Sequence, residues 1–81
     1  MQSLADQLND RQQCILEILV DQYIERAFPI SSDFLKRECA LAVSPATIRI
    51  ELAKLTDKGF LEKVHLSGGR VPSDRGYRSA A

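Results

Sequence analysis

The chain has no tryptophan, one methionine, one histidine, two cysteines and only five aromatic residues in 81. Each shortage excludes something. Cys14 and Cys39 form no CxxC pair, and with His65 as the lone histidine they make neither a disulfide framework nor a zinc site. A reduced, cytosolic protein that takes no metal and no cofactor is expected, with both cysteines acting as small buried hydrophobes. The longest apolar runs, Cys14–Leu16, Ile18–Val20 and Cys39–Val43, fall far short of a membrane span, and the start lacks the basic patch and apolar stretch of a signal peptide. No catalytic set emerges: His65 has no serine or cysteine partner at a recognised spacing, and the carboxylates of the first helix belong to a solvated face. An enzyme is not expected. The length allows one small domain, residues 1–81, around a single modest core.

Excess charge of either sign is also missing, since 11 basic and 11 acidic groups cancel. The cancellation hides a sorting along the chain. Residues 1–40 hold four basic against seven acidic groups, a net of −3, and residues 41–81 hold seven basic against four acidic, a net of +3. Such asymmetry suits a C-terminal half that faces a polyanion and an N-terminal half that faces solvent or a partner.

What is present reads as helix, helix, helix, hairpin. Asn9 caps a first helix over about 10–26, with Gln12 placed to complete a capping box, and Ile15, Leu16, Leu19, Val20, Tyr23 and Ile24 supply its apolar stripe. Pro29 disfavours helix at Phe28 and forces a turn. Ser31 and Ser32 cap a second helix over about 32–39. Ser44-Pro45 then caps a third over about 45–58, which stops at Gly59. Ile48, Leu52 and Leu55 are its buried stripe, so Ala46, Thr47, Ile50, Ala53, Lys54 and Asp57 face away, with Arg49 on the flank. From Phe60 the period changes: a hairpin over about 60–72 turns at Ser67-Gly68-Gly69, Pro72 fits only an edge, and a short first strand is expected around Phe28–Ile30. This order predicts a mainly α protein with a small β-hairpin, a winged helix-turn-helix of three helices plus wing. The closing residues read as a basic run with a frayed end at Ser79-Ala80-Ala81.

In that architecture the third helix is the recognition helix, and its first turn brings short polar side chains and an arginine to base edges and phosphates. Ser44 is a cap that can also help hold a phosphate. Thr47 and Arg49 are candidates for bases or flanking backbone, and the exposed Ile50 for a thymine methyl, against the plainer reading of a solvated surface. Lys54 shares the outward face. Ser31 and Ser32 support a phosphate at the second helix, with Lys36 and Arg37 as secondary backbone contacts. Lys63, His65 and Arg70 flank the wing tip, followed by Arg75 and Arg78, while Tyr77 anchors its segment to the core. The rival class is a winged-helix protein-interaction module, supported by the acidic first helix and by Ile50.

The segments Ser44-Pro45-Ala46-Thr47-Ile48-Arg49, Gly59-Phe60-Leu61-Glu62 and His65 through Arg78 (HLSGGRVPSDRGYR) together resemble the DNA-binding domain of HrcA-type heat-inducible transcription repressors. Leu8 through Gln13 and Pro29 through Ser32 extend the resemblance to about residues 8–78. It implies a bacterial repressor of chaperone genes that binds double-stranded DNA at an inverted-repeat operator, as a homodimer in its full-length context. It also implies a cytoplasmic, nucleoid-associated protein. Ile50 stands where asparagine is common in that family, Val64 where proline is usual, and Leu66 and Gly68 where threonine and alanine are.

Overall fold

The computed structural model describes residues 8–39, 41–65 and 68–80. Its elements are α1 (Asp10–Arg26), α2 (Ser32–Cys39), α3 (Pro45–Asp57), β1 (Leu61–Lys63), β2 (Arg70–Pro72) and α4 (Asp74–Ala80). The architecture is mainly helical with an antiparallel two-stranded wing, registered Leu61 to Pro72, Glu62 to Val71 and Lys63 to Arg70. The expected strand near Phe28–Ile30 is a single bridge from Ile30 to Arg70. Leu66 and Ser67 lie outside the described residues, so of the hairpin turn only Gly68, at φ 75°, and Gly69 are described.

The start of α1 is fixed locally. Asn9 accepts the Gln12 amide at 2.7 Å, and the Gln12 side chain accepts the Asn9 amide at 3.2 Å, which satisfies two of the donors a helix start leaves open. Gln12 is buried and also accepts from Lys58 Nζ at 3.3 Å, so the cap reaches the end of α3. Asn9→Ala should therefore lower stability by about 1–2 kcal/mol, read as a fall in thermal midpoint followed by circular dichroism. At the other end Ala27 takes a left-handed conformation and its amide bonds Tyr23 O, two residues before Pro29.

Ile15, Leu16, Leu19 and Val20 of α1 meet Phe34 and Leu35 of α2, Ile48, Leu52 and Leu55 of α3, and Ile30, Phe60 and Leu61 in one core. Two sequence expectations fail on α1. Ile24 is 65% exposed, and Cys14 is exposed rather than buried. At roughly 100° per residue, Cys14 points almost opposite the centre of the stripe, which falls between Leu16 and Leu19, and Ile24 stands about a third of a turn from that centre. Cys39 does pack against the core, and burial pushes its thiol pKa up, reinforced by Glu38 and opposed by Arg26.

The largest departure is α4, where the sequence suggested a frayed end. Ser73 caps it, taking the Gly76 amide at 3.1 Å and donating to Gly59 O at 2.6 Å. Gln13 Nε2 donates to Ser79 O at 2.9 Å, and Tyr77 meets Tyr23 edge to face with centroids 6.5 Å apart. Tyr77 is thus the anchor that was expected, but on a helix. Among the described residues, three helices plus wing becomes four helices plus wing.

Candidate nucleic-acid interface

The first turn of α3 is built by its cap. Ser44 Oγ accepts the Thr47 amide at 3.1 Å and lies 3.0 Å from Thr47 Oγ1, so both hydroxyls are tied into the cap. Pro45 at the first helical position needs no amide partner. Ile48, Leu52 and Leu55 turn inward, and so does Glu51, which the sequence reading did not single out although it lies three residues from Ile48. Outward stand Ala46, Arg49, Ile50, Ala53, Lys54 and Asp57, with Ile50 56% exposed.

The structure separates the basic side chains that the sequence grouped. Lys36 Nζ donates to Leu41 O at 2.8 Å and holds the link between α2 and α3. Arg37 pairs with Glu38 at 3.4 Å, and Lys54 lies 3.8 Å from the buried carboxylate of Glu51. Arg75 lies over the Phe60 ring at 4.6 Å, and the exposed Arg78 sits with it on α4. His65 is exposed beside undescribed residues. Ser31 is the α2 cap: its Oγ accepts the Phe34 amide at 3.0 Å and its carbonyl the Leu35 amide.

Four predicted residues come together. Ser32, Arg49, Lys63 and Arg70 line an open cleft of about 200 Å³ between the start of α2, one flank of α3 and the wing, with Leu52 and Gly68 completing its wall. Among the described residues no carboxylate lines it. Among the described residues no acidic group lies within ion-pair distance of Arg49, Lys63 or Arg70. Arg70 is held in place, its Nε donating to Thr56 Oγ1 and its Nη1 to Gly68 O, both at 3.0 Å. Its backbone exchanges both hydrogen bonds with Ile30, at 2.8 and 2.9 Å, which fixes the wing against the residues leading into α2. Gly69 permits this approach, since a Cβ there would stand 2.7 Å from Pro29 Cβ. Thr56 was missed from sequence; its place on the same flank as Arg49 and Leu52, by the helical period, was the available signal.

Comparison with known proteins gives the same architecture and a family. A crystal structure described as a hypothetical protein superposes with a TM-score of 0.86 at 39% identity, covering 91% of this chain and 23% of that one. Among curated proteins, the "Heat-inducible transcription repressor HrcA" of Oceanobacillus iheyensis is 52% identical over 71 residues, 88% of this chain and 21% of its own length. This chain is an HrcA-type N-terminal domain. The protein of the same name from Roseiflexus sp. (strain RS-1) is 47% identical over 75 residues, 93% of this chain and 21% of the relative. A scan against family models finds no match. The chain thus spans about a fifth of the length of the curated HrcA proteins it matches. In this HrcA-type domain no described helix is long and apolar enough to cross a membrane.

Proposed function

We propose that this HrcA-type domain binds double-stranded DNA sequence-specifically as the operator-reading part of a transcriptional repressor, and is not an enzyme. The observation that carries the reading is the acid-free cleft of Ser32, Arg49, Lys63 and Arg70 beside the exposed face of α3. A phosphate backbone following the helix-turn-helix would meet three cations there, while Ala46, Ile50 and Ala53 enter the major groove. Ile50 packs on a thymine methyl, and Thr47, whose hydroxyl is engaged by Ser44, contacts the groove edge. The relatives are named heat-inducible transcription repressors, which supports heat-responsive repression; an inverted-repeat operator, a homodimer of the longer protein and a cytoplasmic, nucleoid-associated location complete the proposal.

Selection from a random duplex library at low salt tests this. An enriched thymine-containing half-site is expected, and Ile50→Ala should relax preference at one thymine by about fivefold to tenfold, within the ~1–3 kcal/mol of a good base contact. Recovery of no enriched sequence would favour a protein-interaction module. That second reading is supported by Ile24, Phe28 and Tyr77, which are exposed apolar residues away from α3.

A further inference from the structure

We infer that Arg49 is a phosphate ligand and not a base reader, and that Ser32, Arg49, Lys63 and Arg70 form one site for a single backbone phosphodiester. This rests on the proposed DNA-binding reading and sharpens it.

The first ground is helical phase. Arg49 lies about 100° from the buried Ile48, on the flank shared with Leu52 and Thr56, whereas Thr47 lies about 100° to the other side. Two residues that sequence places together at the start of a recognition helix therefore diverge. Leu52 and Arg49 line the cleft and Thr56 holds Arg70 at its edge, so this flank of α3 faces the wing.

The second ground is charge. Three cations converge on a concavity with no carboxylate among the described residues of its wall, an arrangement that an anion relieves and that charge-assisted hydrogen bonds reward. Asp33, in the first turn of α2, is exposed and does not line the cleft. The volume equals about seven waters at ~30 Å³ each, enough for a phosphate group with its oxygens.

The third ground is preorganisation. Arg70 spends two of its five donors on Thr56 and Gly68, and those bonds orient the guanidinium while the remaining donors stay available. In α2 the amides of Phe34 and Leu35 are taken by Ser31, and those of Ser32 and Asp33 have no acceptor within the helix. The site is thus assembled from three elements whose spacing the Ile30–Arg70 pairing fixes.

The test separates the two roles of an arginine. On the selected duplex and on its single-base variants, Arg49→Ala should weaken binding about tenfold on every sequence and make the salt slope shallower by about 1. A neutral methylphosphonate at one linkage should cost the wild type a similar factor and cost Arg49→Ala nothing more, and Lys63→Gln should behave alike. Loss of preference at one base position with an unchanged slope, or additive losses at every linkage, would overturn the assignment. A second arm uses no duplex. Titration with inorganic phosphate, followed by amide NMR, should move Ser32, Arg49, Gly68 and Arg70 in the wild type and not in the Arg49→Ala, Lys63→Gln double variant. Shifts there without any duplex binding would refute the DNA reading and the phosphodiester as ligand while leaving an anion cleft, whereas duplex binding with shifts scattered over the surface would refute the cleft alone.

Discussion

Replacing Gly76 by alanine should lower the thermal midpoint by on the order of 15 °C, although helix propensity taken alone says the opposite. Gly76 lies inside α4, where alanine is favoured over glycine by about 1 kcal/mol. The reason for glycine is outside the helix. A Cβ at this position would collide with the carbonyl oxygen of Phe60 and also meet Pro72 Cβ at 3.5 Å. That carbonyl cannot yield freely, because it accepts the Ser73 amide at 3.1 Å, and the Phe60 side chain is fully buried. Relief must come from α4 lifting off the wing, which would pull on the Tyr77–Tyr23 contact and the Gln13–Ser79 bond. Overpacking against a rigid partner costs about 3 kcal/mol, out of the roughly 4–12 kcal/mol that a chain of this length holds, and each kcal/mol moves the midpoint by about 4–8 °C. Gly68→Ala is the control. It has a left-handed backbone but nothing within 4 Å of the added atom, so it should cost only about 1–2 kcal/mol. Equal losses in the two variants, measured by thermal melts, would show that the close packing of α4 on Phe60 is not what Gly76 serves.

Gly76 also shows why one element escaped the sequence. The helix starts that were legible announce themselves through side chains: Asn9 with Gln12, and Ser44 with Pro45, are recognisable because the residues that satisfy the free amides stand at fixed offsets. Ser73 gives the same signal before α4, but the seven residues after it carry a glycine, two arginines and a serine, and no apolar stripe. What holds them is tertiary: Ser73 to Gly59, Tyr77 to Tyr23, Gln13 to Ser79. None of these pairs is visible until the wing has been folded. Burial failed on α1 for a related reason. The pattern of apolar residues locates the stripe, but Cys14 and Ile24 are apolar residues off its axis, and only the position of α2 and α3 shows where the stripe ends.

The site was legible as a list and not as a geometry. Ser32, Arg49, Lys63 and Arg70 were all named from the sequence, yet nothing in their spacing says that they share one cleft, because the pairing of Ile30 with Arg70 brings the wing to α2 across forty residues. Four of the other cations named with them have partners inside the fold. Lys36 holds Leu41, Arg37 meets Glu38, Lys54 approaches Glu51, and Arg75 covers Phe60.

The salt dependence of duplex binding should register that difference as its largest effect. Each phosphate neutralised contributes about −0.9 to the slope of log affinity against log salt. If all eight basic side chains named from the sequence, from Lys36 to Arg78, met phosphates, the slope would be about −7, and raising salt from 50 to 200 mM would weaken binding by about 2 × 10⁴-fold. If the three cations of the cleft together neutralise the single phosphodiester of that site, the slope is about −0.9 and the loss only about threefold to fourfold. We expect the shallow slope for one copy of the domain on a single half-site, measured by fluorescence anisotropy across that range, and a slope steeper than about −2 would mean that basic side chains outside the cleft reach the backbone as well. The zero net charge of the chain fits the shallow value. A neutral protein gains nothing from a polyanion at long range and must place its few uncompensated cations where the backbone runs. In this fold that place is the cleft between α2, α3 and the wing, where the positive half of the sequence contributes Arg49, Lys63 and Arg70, and the negative half contributes the uncharged Ser32.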